Sequence, residues 1–358
     1  LNNNGVISKA KDAKNQYAGA QTNEEKHFNE VTDWIDTKVG DTTGGGSEPG
    51  GSGDSTTGGG SAGGSDYDPA SDGVTIPDGF VYVGGTKASG LVISDATADK
   101  EKYKGQTTVG TDLVGNQFVW IPVDNIADYK RTEYTGSFGF SDYSENLPED
   151  EKTSVETNKG YYIGRYEAGD QESTNSKALR TRSSSTSNKI TVKAGQAPYN
   201  YVTRTQAKSL AEGFKTQQNY SSSVTTKLVS SYAWDTAIAF IQKTNSDYGR
   251  SSEEGNYKDS PTFNYTGIAD TEKNKQTKAN GTGKLIPTGQ TTAVNNIYDM
   301  GGNVWEWTTE SRESSTSYPY TRRGGSCFSG FAGYQAGYRF DDSDRARGDS
   351  GFRLTLFL

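Results

Sequence analysis

Few side chains in this sequence can do chemistry, and their types narrow the choices at once. Among 358 residues there is one cysteine, Cys327, and one histidine, His27. A single thiol can neither close an intrachain disulfide nor build a thiolate metal cage. A single imidazole excludes multi-His metal sites and leaves a Ser or Cys nucleophile with few bases. The remaining group of note is Glu306, a carboxylate set between Trp305 and Trp307. That setting favours a buried, hydrogen-bonded acid over a solvated one. It belongs to the run Asn296-Ile297-Tyr298-Asp299-Met300-Gly301-Gly302-Asn303-Val304-Trp305-Glu306-Trp307. Two further marks come after it, Arg323-Gly324-Gly325-Ser326 and Gly351-Phe352-Arg353-Leu354. Gly302, Gly324 and Gly325 announce tight backbone geometry, and Arg353 brings a charge that a core must pair.

The elements that must position these residues can be read from periodicity. Short runs rich in β-branched and aromatic residues predict strands at Phe80–Val83, Leu91–Ile93, Phe118–Val123 and Tyr161–Tyr166. Ala207, Leu210, Ala211 and Phe214 share one helical face, with Thr203 or Thr205 as N-cap. A second helix carries Ala233, Trp234, Ala237, Ile238, Phe240 and Ile241 over a wide apolar arc, which predicts burial. The polar stretches 141–159, 170–190 and 244–282 read as surface loops. The fold class is α+β.

Upstream the texture differs. Residues 1–39 carry an amphipathic helical pattern, with Val6, Ala10, Ala13 and Tyr17 and then Phe28, Val31, Trp34 and Ile35 on one face. Residues 40–75 form a Gly/Ser linker, about 34 residues of which reach on the order of 30 Å. No strand–helix pair brackets that linker, so it is not a phosphate-cradling loop and no nucleotide is expected. The 44 glycines amount to roughly 12% of the chain against a usual 7%, which fits one packed domain (76–358) beside an unpacked stretch. A net charge of −8 argues against nucleic acid as partner. No apolar run is long enough to span a membrane.

The order GNVWEW, RGGS, GFRL resembles the formylglycine-generating (sulfatase-modifying factor) family, a variant of the C-type lectin fold. Phe118-Val119-Trp120-Ile121-Pro122-Val123, Tyr162-Ile163-Gly164-Arg165-Tyr166-Glu167 and the two helices stand where that family has strands and helices, so the resemblance covers roughly Ile76 to Leu358. Its oxidases use a pair of cysteines near the segment after GGS, where this chain offers Cys327 alone. Its iron-dependent members use several His ligands, which are missing. The resemblance therefore implies a non-enzymatic member without copper or iron. It also implies a structural Ca²⁺ in the GNVWEW loop, held by Asp299, the carbonyls of Gly302 and Val304, and Glu306. Hard oxygen ligands on a tight loop suit that ion. The alternative is that Asn303 and Glu306 satisfy backbone groups in a turn.

Asn3-Asn4-Gly5-Val6-Ile7-Ser8-Lys9-Ala10-Lys11-Asp12-Ala13-Lys14 resembles the stretch following the hydrophobic helix of type IV pilin-like proteins. That implies an extracellular protein on a bacterial surface or pilus, contacting other pilin subunits through its N-terminal helix. Any membrane contact would run through an upstream apolar helix that this sequence lacks. The C-terminal tail holds a third resemblance. Residues 314–358 contain no Lys and no Glu, and carry Tyr318, Tyr320, Phe328, Phe331, Tyr334, Tyr338 and Phe340 among Asp, Ser, Gly, Ala and Arg. Randomised adenines in Asn-type codons yield such residues and cannot yield Lys, Glu, Gln, Met or Trp, so Gln335 would be a fixed position. The pattern resembles the variable protein of a diversity-generating retroelement, with a variable segment at 318–350. Tyr and Phe give large rigid contact area, and small polar residues adapt around them. The expected ligand-binding face comprises Cys327, Phe328, Ser329, Phe331, Tyr334, Tyr338, Phe340, Asp341, Asp342 and Arg345, mostly exposed, with a protein or other surface macromolecule as ligand. A structural minor pilin and a calcium-dependent glycan-binding lectin remain the alternatives.

Overall fold

The computed structural model describes residues 67–134, 140–171, 189–250, 255–258, 265–266, 277–278, 285–330 and 333–358. All of them fall within one compact unit, Ala62–Leu358. The N-terminal helix and most of the linker lie outside the described residues, as do most of 170–190 and much of 244–282.

In chain order come β1 (Val81–Gly84), β2 (Val92–Ser94), β3 (Gln117–Pro122) and β4 (Tyr143–Ser144). Helix α1 (Glu149–Asn158) precedes β5 (Gly160–Gly164), β6 (Gly169–Asp170) and β7 (Ile190–Thr191). Helix α2 (Arg204–Gln218), β8 (Thr225–Leu228) and helix α3 (Ser231–Ile241) come next, then the short pair β9 (Tyr265–Thr266) and β10 (Thr277–Lys278). The C-terminal part supplies β11 (Trp305–Arg312), β12 (Tyr320–Arg323), β13 (Arg339–Asp342), β14 (Ser350–Phe352) and β15 (Leu354–Phe357).

A six-stranded sheet runs β1-β2-β3-β5-β15-β8, and a second sheet runs β13-β12-β11-β14 with β4 added to β11. The last strand, β15, thus sits inside the larger sheet, antiparallel to both β5 and β8. Both faces of that sheet are covered. Val119, Ile121, Tyr161 and Ile163 pack with Ala233, Trp234, Ala237 and Ile238 of α3. Phe118, Trp120 and Tyr162 pack with Ala207, Ala211 and Phe214 of α2 and with Trp307. Successive side chains on a strand point to opposite faces, so two cores demand an unbroken apolar run, which is how β3 and β5 read.

The four expected strands and both expected helices are present. Thr203 caps α2 with a capping box: its hydroxyl accepts from the Gln206 N–H while the Gln206 side chain accepts from the Thr203 N–H. The stretch 141–159, expected to be loop, instead contains β4 and α1. Helix α1 escapes periodicity because it buries only Glu151, Ser154 and Val155. Its signals are local, Pro148 at the N-cap and three acids in the first turn.

Candidate functional site

The C-terminal segment is organised around β11. Its pleat puts Trp305 and Trp307 on one face and Glu306 on the other. β12 pairs antiparallel on one side, with Glu306 opposite Arg323 and Trp307 opposite Arg322. β14 pairs parallel on the other side, with Glu306 opposite Gly351. The three sequence motifs are therefore neighbours in one sheet. Gly325 shows why glycine is needed between them: its φ is +73°, and a Cβ there would collide with the Tyr334 carbonyl oxygen.

Glu306 and Arg353 are both buried, and they meet through two contacts, Arg353 Nε to Oε2 at 3.0 Å and Nη2 to Oε1 at 2.7 Å. Arg353 also donates to the Gly164 and Tyr298 carbonyls, so its charge is paired inside the core. Asp299 Oδ2 accepts from the Gly289 N–H and Oδ1 from the Thr291 hydroxyl, both at 2.6 Å. The side-chain oxygens expected to face a calcium ion are thus engaged by the chain's own donors. Both carboxylates are occupied within the chain, and among the described residues no group of three or more His, Cys, Asp or Glu is placed to hold a metal.

Asn303, with φ +57°, is the hub of the loop. Its Oδ1 accepts from the Ile286 N–H and from Asn256 Nδ2, and its Nδ2 donates to the Ile286 carbonyl and to Glu167. Glu167 is fully buried with one oxygen lacking a partner. Burial, followed by repulsion from Asp299 and Glu306, holds its carboxyl well above the usual range. Sequence reading missed Glu167 as a buried acid, although its place in the apolar run Tyr161–Glu167 was the available signal.

Around the RGGS motif the tail is pinned on both faces of its strands. Asp235 of α3 takes Arg323 Nη2 at 2.6 Å and Arg339 Nη2 at 2.5 Å, and Arg339 also meets Glu310 at 2.9 Å. Arg322 Nη2 meets Asp342 at 2.7 Å. All of these side chains are buried.

On the Arg322 side lies an aromatic cluster. The ring of Trp305 stands 5.6 Å from Tyr334, 6.3 Å from Tyr338 and 5.2 Å from Phe340, and Tyr334 and Tyr338 are 5.0 Å apart edge to face. The Arg322 guanidinium lies over Trp305, Trp307 and Phe340 at 5.3–5.4 Å. Burial pushes Arg322 down to about 10, against the opposing pull of Asp342 and Asp349. Trp305 is buried, whereas Tyr334, Tyr338 and Phe340 are half-buried.

The expected face is therefore partly redrawn. Phe328, 57% exposed, and Arg345 lie at the surface, and Ser329 and Asp341 are half-buried. Phe331 lies outside the described residues. Three expectations are corrected. The face is mostly half-buried and not mostly exposed, because Tyr334, Tyr338 and Phe340 pack on Trp305 and Asp341 pairs with Arg312. Cys327 is buried with no exposure and cannot touch a ligand, because its N–H donates to the Asn303 carbonyl and ties it to the loop. Burial pushes its thiol far above the ordinary cysteine value. Asp342 is buried under arginines rather than exposed.

No family model matches the chain, and no curated protein matches it. Among solved structures it is similar to Treponema denticola variable protein 1, at 14% identity over 70% of this chain and 98% of the other, with a TM-score of 0.38. PvdO from Pseudomonas aeruginosa is similar at 16% identity over the same shares, with a TM-score of 0.37. CarF is similar at 15% identity over 56% of this chain and 87% of its own, with a TM-score of 0.37.

Proposed function

We propose that this chain is a non-catalytic ligand-binding protein of the bacterial cell surface or pilus, with a C-type lectin-fold head of the formylglycine-generating subtype. Its C-terminal segment is the binding element and is diversified by a retroelement. The N-terminal segment, on its pilin-like sequence, joins the head to other pilin subunits. One observation supports the reading: the tail separates into buried, ion-paired residues and side chains that stay half-buried or exposed. Arg322, Arg323, Arg339 and Asp342 are fixed by buried ion pairs, while Tyr334, Tyr338 and Phe340 stay half-buried and Phe328 and Arg345 are exposed. A binding face that changes its contacts without losing its fold needs that division. A buried Cys327 with a raised pKa supports the absence of thiol chemistry.

The test lies in the DNA beside the gene. A near-copy of the segment encoding 318–353, differing at adenines and accompanied by a reverse transcriptase gene, is expected. A locus without that copy overturns diversification. Among variants, codons for the pinned residues should stay constant while those for Tyr334, Tyr338 and Phe340 change.

A further inference from the structure

The margin of the aromatic cluster has a sign. Asp342, 2% exposed, faces three guanidinium groups: Arg322 Nη2 at 2.7 Å, Arg347 Nε at 2.8 Å and Arg345 Nη2 at 3.8 Å. The other acid near this group is Asp349, 3.7 Å from Arg322 Nη1. Asp344 is turned away: its carboxylate accepts from the Thr205 N–H at 3.1 Å and the Thr205 hydroxyl at 2.6 Å, at the N-terminus of α2. Asp341 is likewise engaged, by Arg312 at 2.6 Å. Around Asp342 three guanidinium groups thus gather. Arg322 is buried, and the outermost are Arg345 at 59% and Arg347 at 41% exposure, while the charge of Asp344 is directed at the N-terminus of α2. Arg322 joins this group to the aromatics, since it lies over Trp305 and Phe340. These two exposed guanidinium groups stand on a chain whose net charge is −8.

Resting on the binding-face reading above, we propose that the ligand is a polypeptide whose contact segment sets carboxylates beside an aromatic or aliphatic side chain. The carboxylates meet Arg345 and Arg347, for which guanidinium forks are suited. The apolar side chain lies on Tyr334, Tyr338 and Phe340, whose half-buried rings lose little entropy on contact.

The experiment is selection of a displayed random peptide library on the full chain. Enriched peptides are then measured on the chain, on Arg345→Glu/Arg347→Glu and on Tyr334→Ala/Tyr338→Ala. Arg322 still pairs with Asp342 in the charge-reversed protein. Circular dichroism checks the fold of both variants, and Arg345→Gln/Arg347→Gln replaces charge reversal if the added carboxylates beside Asp342 unfold it. If the aromatic double variant fails to fold, Tyr338→Ser alone replaces it. Enriched peptides should combine Asp or Glu with an aromatic or aliphatic residue. Charge reversal should slow their association on the order of tenfold or more at low salt, with the difference shrinking as salt rises. Peptides without acidic bias, or unaffected by charge reversal but lost with the tyrosines, overturn the charge assignment and leave the face intact. Peptides indifferent to both variants, or no enrichment, overturn the face as well. Preferential retention of single-stranded DNA through Arg345 and Arg347 overturns the polypeptide assignment.

Discussion

Asp235→Asn isolates the energy of the pins beneath the tail. Asp235 is fully buried on α3 and takes a guanidinium on each carboxylate oxygen, Arg323 on Oδ1 and Arg339 on Oδ2. Oδ2 also accepts from the Thr132 N–H at 2.9 Å. Asparagine keeps the shape and one acceptor and removes the charge. Arg339 retains Glu310, so Arg323 is the stranded group, left with the carbonyls of Gly337 and Tyr338 at 3.0 and 3.1 Å and the Ser231 hydroxyl at 3.4 Å. Removing one partner of a buried pair costs about 3–5 kcal/mol, because the other charge stays desolvated. For a domain of this size 1 kcal/mol lowers the thermal midpoint by about 2–4 °C, so a fall of roughly 6 to 20 °C is expected. Thermal melts followed by circular dichroism measure it, with exposed Arg345→Ala as the reference that should stay within about 0.5 kcal/mol. A fall of no more than about 2 °C would refute the reasoning, because the tail would then be held by backbone pairing without help from its charges.

Tyr338→Ala should cost roughly 1–2 kcal/mol, the loss of one edge-to-face and one tilted ring contact on a half-buried ring, and should weaken peptide capture far more than stability, as paired melts and titrations will reveal. Native protein should resist thiol alkylation at Cys327 and react only after denaturation; mass spectrometry showing stoichiometric native labelling contradicts the buried, raised-pKa thiol. With Arg353 seated on Glu306, a chelator should leave the thermal midpoint unchanged, whereas a fall of several degrees that calcium restores would put a cation in the loop. Glu167 binds a proton in the folded state that the unfolded chain releases above the ordinary carboxylate range, so its contribution to stability falls as pH rises through that interval. Glu167→Gln should flatten that fall in melts taken across pH, and an unaltered pH slope would show the acid to be ionised in the fold.

How far the sequence exposes this molecule depends on what kind of interaction makes each part. Strands such as β3 and β5 and the helices α2 and α3 declare themselves because burial against a sheet imposes a period on apolar residues. α1 does not, since its few buried contacts leave no stripe. The partner of Arg353 was legible as a need, a charge that the core must pair, and Glu306 as an acid between tryptophans. Their meeting was not legible, because 47 residues and the pairing of β11 with β14 stand between them. The same holds for Asp342. Its type and its neighbours Asp341 and Arg345 mark a solvated strand end, and only register, which sets Tyr320 opposite Asp342, carries its carboxylate onto buried Arg322. Trp305 ties this packing to the proposed binding face. It is buried as a core residue would be, yet the rings resting on it are half-open to solvent. A replaceable aromatic needs a floor that does not change, and tryptophan cannot arise from randomised adenines in Asn-type codons. On the proposed binding-face reading, the sheet would supply the rigid half of each contact and the tail the half that can be exchanged.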